Sequence, residues 1–74
     1  MVNKKVFLER VNSLLDKEDF PRRVNDRAEA FAKLFDISFY ASYDILSGAT
    51  APGDDLLQEI ADEFEVDKLW LAGN

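Results

Sequence analysis

The densest positive charge in the chain is a group of three arginines, Arg22, Arg23 and Arg27. A guanidinium group stays protonated and suits the geometry of phosphate oxygens, so this group could supply phosphate contacts. The alternative is an ordinary solvated loop, because surface charges commonly have no specific partner. The two interpretations differ in whether the arginines share a surface with other recognition residues.

A second set of candidates is aromatic and acidic. Phe39, Tyr40, Tyr43 and Asp44 lie within six positions, and Tyr40 and Tyr43 have the i, i+3 spacing of neighbours on a helix. Exposed tyrosines beside phenylalanine have the composition of an interface hot spot. The alternative is burial of one or two of these rings in the core.

Catalytic and metal chemistry has little support in the sequence. The chain has no His and no Cys, which removes the usual nucleophiles and ordinary zinc ligands. The acid pairs Asp54-Asp55 and Asp62-Glu63 are adjacent in sequence, so they diverge on a helix instead of converging in a pocket. We therefore predict a protein that is not an enzyme and has no metal, cofactor or small-molecule site.

Length and charge limit the class of protein. Seventy-four residues with 47% hydrophobic content and nine aromatic residues predict one domain, 1–74, with its own core. The net charge is −6, but residues 1–33 carry +2 and residues 34–74 carry −8. A local basic face is compatible with this division. The absence of a long apolar run and of an apolar leader predicts a soluble, cytoplasmic protein without membrane contact.

The central stretch 26–48 predicts two helices and a tight corner. Asp26 followed by Glu29 forms a capping box, so the helix should begin near Arg27. Ala28, Phe31, Ala32 and Phe35 then repeat at helical spacing and should face the core. The chain turns at Asp36-Ile37-Ser38, Ser38 caps the next helix, and Gly48 stops it. Two helices joined by so short a corner form a helix-turn-helix.

The flanking segments predict three more helices and no strand. Asn3 should cap a first helix over about 4–16, and a connection with Phe20 and Val24 as core anchors follows it. After a turn rich in Pro and Gly, Asp54 or Asp55 should cap a fourth, amphipathic helix. Asp67 should cap a last short helix, in which Trp70 and Leu71 close the core.

The order of these elements resembles the phage repressor and Cro group, the XRE-like or lambda repressor-like helix-turn-helix family. The resemblance covers residues 27–74 and is most specific in the tail LLQEIADEFEVDKLWLAGN, an apolar helix that ends in Val66 and the pair Trp70-Leu71. Ala32 matches the small residue of the second helix, and Ile37-Ser38 match the corner. The resemblance implies a compact all-α bundle of about five helices and a DNA-binding, repressor-like transcriptional regulator.

The resemblance also assigns roles to residues. The helix 39–47 would enter the major groove, and the helix before it would point its N-terminus at a phosphate. The implied base contacts are Phe39, Tyr40, Tyr43, Asp44 and Ser47. The resemblance places Ala28 at the phosphate position of the second helix. Further phosphate-contact candidates follow from the residues themselves, since basic side chains beside the start of that helix could replace the contacts that the family's basic loop supplies: Arg22, Arg23, Arg27, Lys33 and Ser38. With few basic contacts, tight binding of double-stranded DNA would need a homodimer that reads two half-sites.

The chain departs from the family pattern in the residues that should read DNA. Aromatic and acidic side chains replace the usual polar readers, the loop after Gly48 lacks basic residues, and Ser42 replaces a large apolar residue. These departures support a second hypothesis, a protein-interaction module that kept the fold and lost DNA binding. Its aromatic and acidic surface would bind a basic protein partner.

Overall fold

The computed structural model of this chain describes residues 2–73, and this part of the chain contains five helices and no strand. The helices are α1 Lys4–Lys17, α2 Val24–Phe35, α3 Phe39–Leu46, α4 Asp54–Glu63 and α5 Lys68–Ala72. Met1 and Asn74, the two ends of the predicted 1–74 domain, lie outside the described residues. The architecture confirms the predicted all-α bundle.

Helix α1 begins where the sequence predicts. The Asn3 side chain accepts a hydrogen bond of 3.1 Å from the backbone N–H of Val6, which satisfies one of the free donors of the first turn. Phe7, Val11 and Leu15 are fully buried at intervals of four residues. This spacing places them on one face of the helix, against the core.

Helix α2 begins earlier than predicted, so the proposed capping box at Asp26 is wrong. The N-cap is Arg23, and Asp26 lies inside the first turn. The backbone N–H of Arg27 already donates to the carbonyl of Arg23 over 2.8 Å, so the first helical turn forms before the predicted start. The helix-turn-helix therefore spans residues 24–46. Val24 is 41% exposed and is not the core anchor that the sequence suggested.

The corner between α2 and α3 has the predicted construction. Asp36 ends α2 in the left-handed region with φ of 54°, and the N–H of Ile37 donates back to Ala32 over 3.0 Å. The half-buried Ile37 packs against the core. The Ser38 side chain accepts from the N–H of Ala41 over 3.1 Å and so caps α3. Gly48 follows α3 with φ of 86°, a conformation that suits glycine.

The last two helices begin at two kinds of cap. Gly53 is the N-cap of α4 and makes no side-chain bond, so neither Asp54 nor Asp55 has the predicted capping role. Both lie in the first turn, where a carboxylate interacts favourably with the positive end of the helix. Asp67 caps α5 as predicted and accepts from the N–H groups of Leu69 and Trp70.

The core lies where the helices cross. Helix α2 packs on α3 and α4, while α5 packs on α1 and α4. The buried apolar residues come from all five helices: Phe7, Val11, Leu15, Ala28, Phe31, Phe35, Ile45, Leu46, Leu57, Ile60, Ala61, Leu71 and Ala72. The half-buried Phe20 adds an edge contact to the ring of Phe64, with centroids 6.3 Å apart.

The final helix closes the core through only part of the predicted pair. Leu71 is fully buried, as expected, but Trp70 is 40% exposed. The guanidinium of Arg10 lies 4.9 Å from the centre of the Trp70 ring, and its Nη1 also donates to the Trp70 carbonyl. Trp70 therefore joins α5 to α1 at the surface through a cation–π contact.

Candidate nucleic-acid interface

Helix α3 packs against the core with one face and exposes the other face to solvent. Ser42, Ile45 and Leu46 are buried at i, i+3 and i+4, so they form the inner face of the helix. The outer face carries exposed Phe39, Tyr40, Ala41, Asp44 and Ser47. Tyr43 lies at the border and is half-buried. Four of the five predicted base-contact residues are thus exposed, and Tyr43 is exposed in part.

Phe39, Tyr40 and Tyr43 form one packed group, here called the aromatic surface. The rings of Phe39 and Tyr40 meet edge to face with centroids 5.7 Å apart, and those of Phe39 and Tyr43 lie 5.9 Å apart. Phe39 is 37% exposed, whereas Tyr40 is 79% exposed. Phe39 therefore supports Tyr40, and Tyr40 is the ring most open to a partner.

Ser42 fixes the outer face through a buried hydrogen bond. Its hydroxyl donates to the carbonyl of Ala28 over 2.7 Å, and the residue has no exposed surface. A large apolar residue at this position would have to displace α2 from α3. This bond and the small side chain of Ala28 on the facing helix accommodate Ser42 between α2 and α3.

The two terminal serines of α3 already make local hydrogen bonds. Ser38 accepts from Ala41, so its oxygen is engaged, although its O–H remains able to donate. The Ser47 hydroxyl donates to the carbonyl of Asp44 over 3.3 Å. Ser38 keeps a donor for a phosphate oxygen at the start of α3, and Ser47 has the weaker claim to a base contact.

Arg27, expected at the surface, is buried. The residue is only 5% exposed, and its Nε donates to the carbonyl of Pro21 over 2.6 Å. Its Nη1 donates to Asn12 Oδ1 over 3.1 Å, and its Nη2 lies 2.5 Å from Asp16 Oδ1. All three nitrogens of the guanidinium therefore donate hydrogen bonds to acceptors within the protein. The predicted phosphate contact at Arg27 is replaced by a structural role that joins α2 to α1.

A signal in the sequence could have identified this role. Arg27 stands four residues before Phe31, on the apolar face of α2. Asn12 and Asp16 are themselves four residues apart and so share one face of α1. A basic residue on a buried stripe, with an amide and a carboxylate available on another helix, favours an internal ion pair.

The ion pair changes the acidity of Asp16. The hydrogen bond from Arg27 holds the pKa of the Asp16 carboxyl below its ordinary value of 3.8, and the positive charges of Arg27 and Arg22 act in the same direction. Partial desolvation acts in the opposite direction and is smaller than the effect of the hydrogen bond. Arg22 lies 3.7 Å from the same Asp16 oxygen, with its side chain 82% exposed. Asp16 is therefore an anion in the folded protein at neutral pH.

The remaining predicted phosphate residues divide into exposed and buried groups. Arg22, Arg23 and Lys33 are exposed, and Lys33 makes an i, i+4 ion pair of 3.7 Å with Glu29. Such exposed pairs contribute little energy and can be exchanged for another anion. Ala28 is fully buried and is the fifth residue of α2, beyond the four free N–H groups of the helix start. The predicted phosphate contact at Ala28 is therefore wrong.

The surroundings of α3 are acidic. From 34 to 53 the chain carries Asp36 and Asp44 and no basic residue.

Within residues 2–73, no three side chains of His, Cys, Asp or Glu lie close enough to hold a metal ion. In that same range, each helix is too short or too polar to cross a membrane.

Comparisons with protein-family models, curated proteins and solved structures give no match.

Proposed function

We propose that this chain is a DNA-binding transcriptional regulator, a member of the phage repressor and Cro group, that inserts α3 into the major groove. The observation that carries the proposal is the division of α3 into two faces. Ser42, Ile45 and Leu46 are locked into the core, while the aromatic surface and Asp44 project outward. A helix held in this way keeps its outer side chains in fixed positions, as a rigid reader of base edges requires.

The phosphate contacts of the proposal come from one side. Arg22 and Arg23 precede α2, whose N-cap makes no side-chain hydrogen bond, so the first N–H groups of α2 remain free for an anion. Lys33 and the hydroxyl of Ser38 complete the set. Three basic contacts predict a slope of about −2.7 for the logarithm of affinity against the logarithm of salt concentration.

So few contacts give weak binding by one copy of the chain. Specific affinity would come from a homodimer on two half-sites, since spacing and doubled contacts supply what one module lacks. The proposal includes a cytoplasmic location, where the DNA that the chain binds would lie. It also includes no catalytic role, because the outer face of α3 presents no nucleophile with an adjacent base.

A two-dimensional NMR titration with double-stranded DNA tests the proposal. We expect chemical-shift changes at the outer face of α3 and at the start of α2, and we expect them to weaken as salt rises. A pool of random 20-base-pair duplexes serves as the probe because the operator is not needed for backbone contacts. The absence of any shift at low salt would overturn the proposal.

A second candidate function is supported by the chemistry of the same surface. Tyr40 is 79% exposed beside Phe39, and Asp44 is the only charged residue of α3. Large exposed rings in an acidic region suit a basic protein partner, since tyrosine anchors dominate interfaces and charge steers the encounter. In this case duplex DNA would cause no chemical-shift change at any salt concentration, while a basic protein partner would shift the NMR signals of α3.

A further inference from the structure

The side chains around the outer face of α3 lack one class of hydrogen-bonding group. Residues 38–53 contain no Arg, Lys, Asn or Gln. Arg and Lys are the side chains that pair with the O6 and N7 atoms of guanine, and Asn and Gln are those that pair with the N6 and N7 atoms of adenine. The side chains of this helix therefore cannot recognise a purine directly through two hydrogen bonds.

The groups that remain suit the pyrimidines. The exposed ring of Tyr40, supported edge to face by Phe39, offers an apolar surface, and Ala41 adds a methyl group beside it. Apolar groups contact the C5-methyl of thymine in the major groove. The carboxylate of Asp44 accepts hydrogen bonds only, and cytosine presents an N4 amino donor in the same groove.

The spacing of these groups places them together. Tyr40 and Asp44 are four residues apart and lie on adjacent turns of the outer face, so they would meet neighbouring base pairs. The Asp44 side chain is exposed, and only its backbone carbonyl is engaged, by Ala49, Thr50 and Ser47. Both side chains are thus free to approach a base.

We infer that α3 reads the pyrimidine features of duplex DNA, with Phe39 and Tyr40 against a thymine methyl and Asp44 on the amino group of a neighbouring cytosine. This inference rests on the proposed function, because it names the DNA that the same helix would select. In this inference, α3 does not recognise a purine through two hydrogen bonds. It recognises a methyl group by contact and an amino group by one accepted hydrogen bond. The affinity for any one site is correspondingly modest.

The test begins with selection of the tightest duplex from a random 20-base-pair pool at low salt. That duplex is then rebuilt with deoxyuridine in place of each thymidine in turn, which removes one C5-methyl and leaves base pairing intact. We expect about fourfold weaker binding at the contacted thymine, the value for loss of one buried methyl group. Substitution of the other thymines should leave the affinity unchanged.

Protein variants assign the effect to its residue. Tyr40→Ala should abolish the difference between thymine and uracil, and Tyr40→Phe should keep it because the ring remains. Asp44→Asn should shift the preference from cytosine toward adenine at one position, since asparagine pairs with adenine. Leu34→Ala, which removes an exposed apolar side chain from α2, serves as the matched control and should leave the discrimination intact.

The possible failures are distinguishable. A duplex that binds equally well with thymine and uracil at every position overturns the pyrimidine inference and leaves DNA binding in place. Retained methyl discrimination in Tyr40→Ala also overturns the assignment. If no duplex is enriched and none binds at low salt, both the inference and the proposed function are wrong.

Discussion

Arg27 and Asp16 form an ion pair between α2 and α1, with the guanidinium Nη2 and the carboxylate Oδ1 2.5 Å apart. The Arg27 side chain is 7% exposed and that of Asp16 is 46% exposed, so the cation is buried and its partner faces water. This arrangement turns one of three clustered arginines into a structural element. It leaves Arg22 and Arg23 as the basic residues of that group with exposed positions.

The first prediction concerns Arg27. Arg27→Ala should lower the free energy of unfolding by about 1.5–3 kcal/mol, the range for loss of a hydrogen bond to a charged group, since the half-exposed Asp16 can recover water. The carbonyl of Pro21 and the side chain of Asn12 also lose their donor. Urea denaturation followed by circular dichroism measures the change. Arg23→Ala is the control, and a loss of similar size there would contradict the assignment.

The second prediction concerns acid unfolding. Because the folded-state pKa of Asp16 is lowered, its contribution to stability is present above the ordinary value of 3.8 and is lost as pH falls through the lower folded value. Asp16→Asn should therefore be less stable than the parent at neutral pH, with a smaller difference well below pH 3.8. Denaturation curves at a series of pH values test this.

A direct measurement and a control complete the acid experiment. The carboxyl carbon of Asp16, followed by NMR, should titrate below the ordinary value for aspartate in the parent and return toward it in Arg27→Met. Asp19→Asn, which changes an exposed carboxylate in the connection that follows α1, is the control variant for the denaturation series. An Asp16 that titrates normally in the parent would refute the coupling to Arg27.

The third prediction concerns the contact between α2 and α3. Ser42→Ala removes the bond to the Ala28 carbonyl and should cost about 1 kcal/mol. Ser42→Leu places a larger side chain at a position with no exposed surface and so overpacks the contact between the two helices, at a cost of about 1–3 kcal/mol. Thermal or urea unfolding compares the two variants. A stabilised Ser42→Leu protein would show that the two helices can separate without penalty.

The fourth prediction concerns phosphate contacts. The double variant Arg22→Ala with Arg23→Ala should weaken binding to all duplexes alike and reduce the magnitude of the salt slope by about 1.8, because two phosphates are no longer neutralised. Fluorescence anisotropy at several salt concentrations gives the slope. Lys4→Ala with Lys5→Ala makes the same change in net charge on α1 and should leave the slope unchanged.

The fifth prediction uses Trp70 as a reporter. Arg10→Ala removes the guanidinium that covers the ring and the hydrogen bond to the Trp70 carbonyl, so the emission should shift to longer wavelength. The cation–π contact contributes about 0.5–1 kcal/mol at an exposed site, and stability should fall by a similar amount. Since Trp70 is the single tryptophan, the spectrum reports this contact alone. Glu9→Ala, on the neighbouring exposed position, provides the comparison.

The sequence by itself determined the helices and the corner. Caps are local, because a side chain at one position satisfies N–H groups two or three residues away, as Asn3, Ser38 and Asp67 do. The apolar spacing of α2 and α4 is equally local and indicates which faces are buried. These signals were sufficient for the number of helices, their order and the position of the turn.

The tertiary structure alone decided which individual polar and aromatic side chains are buried and which are exposed. Arg27 is buried because Asn12 and Asp16, on another helix, supply its partners, and Ser42 is tolerated in the core because Ala28 offers a carbonyl at hydrogen-bond distance. Trp70 stays at the surface because Arg10, sixty residues away in sequence, covers it. The burial of a polar group depends on partners distant along the chain, and the pattern around one residue does not contain them.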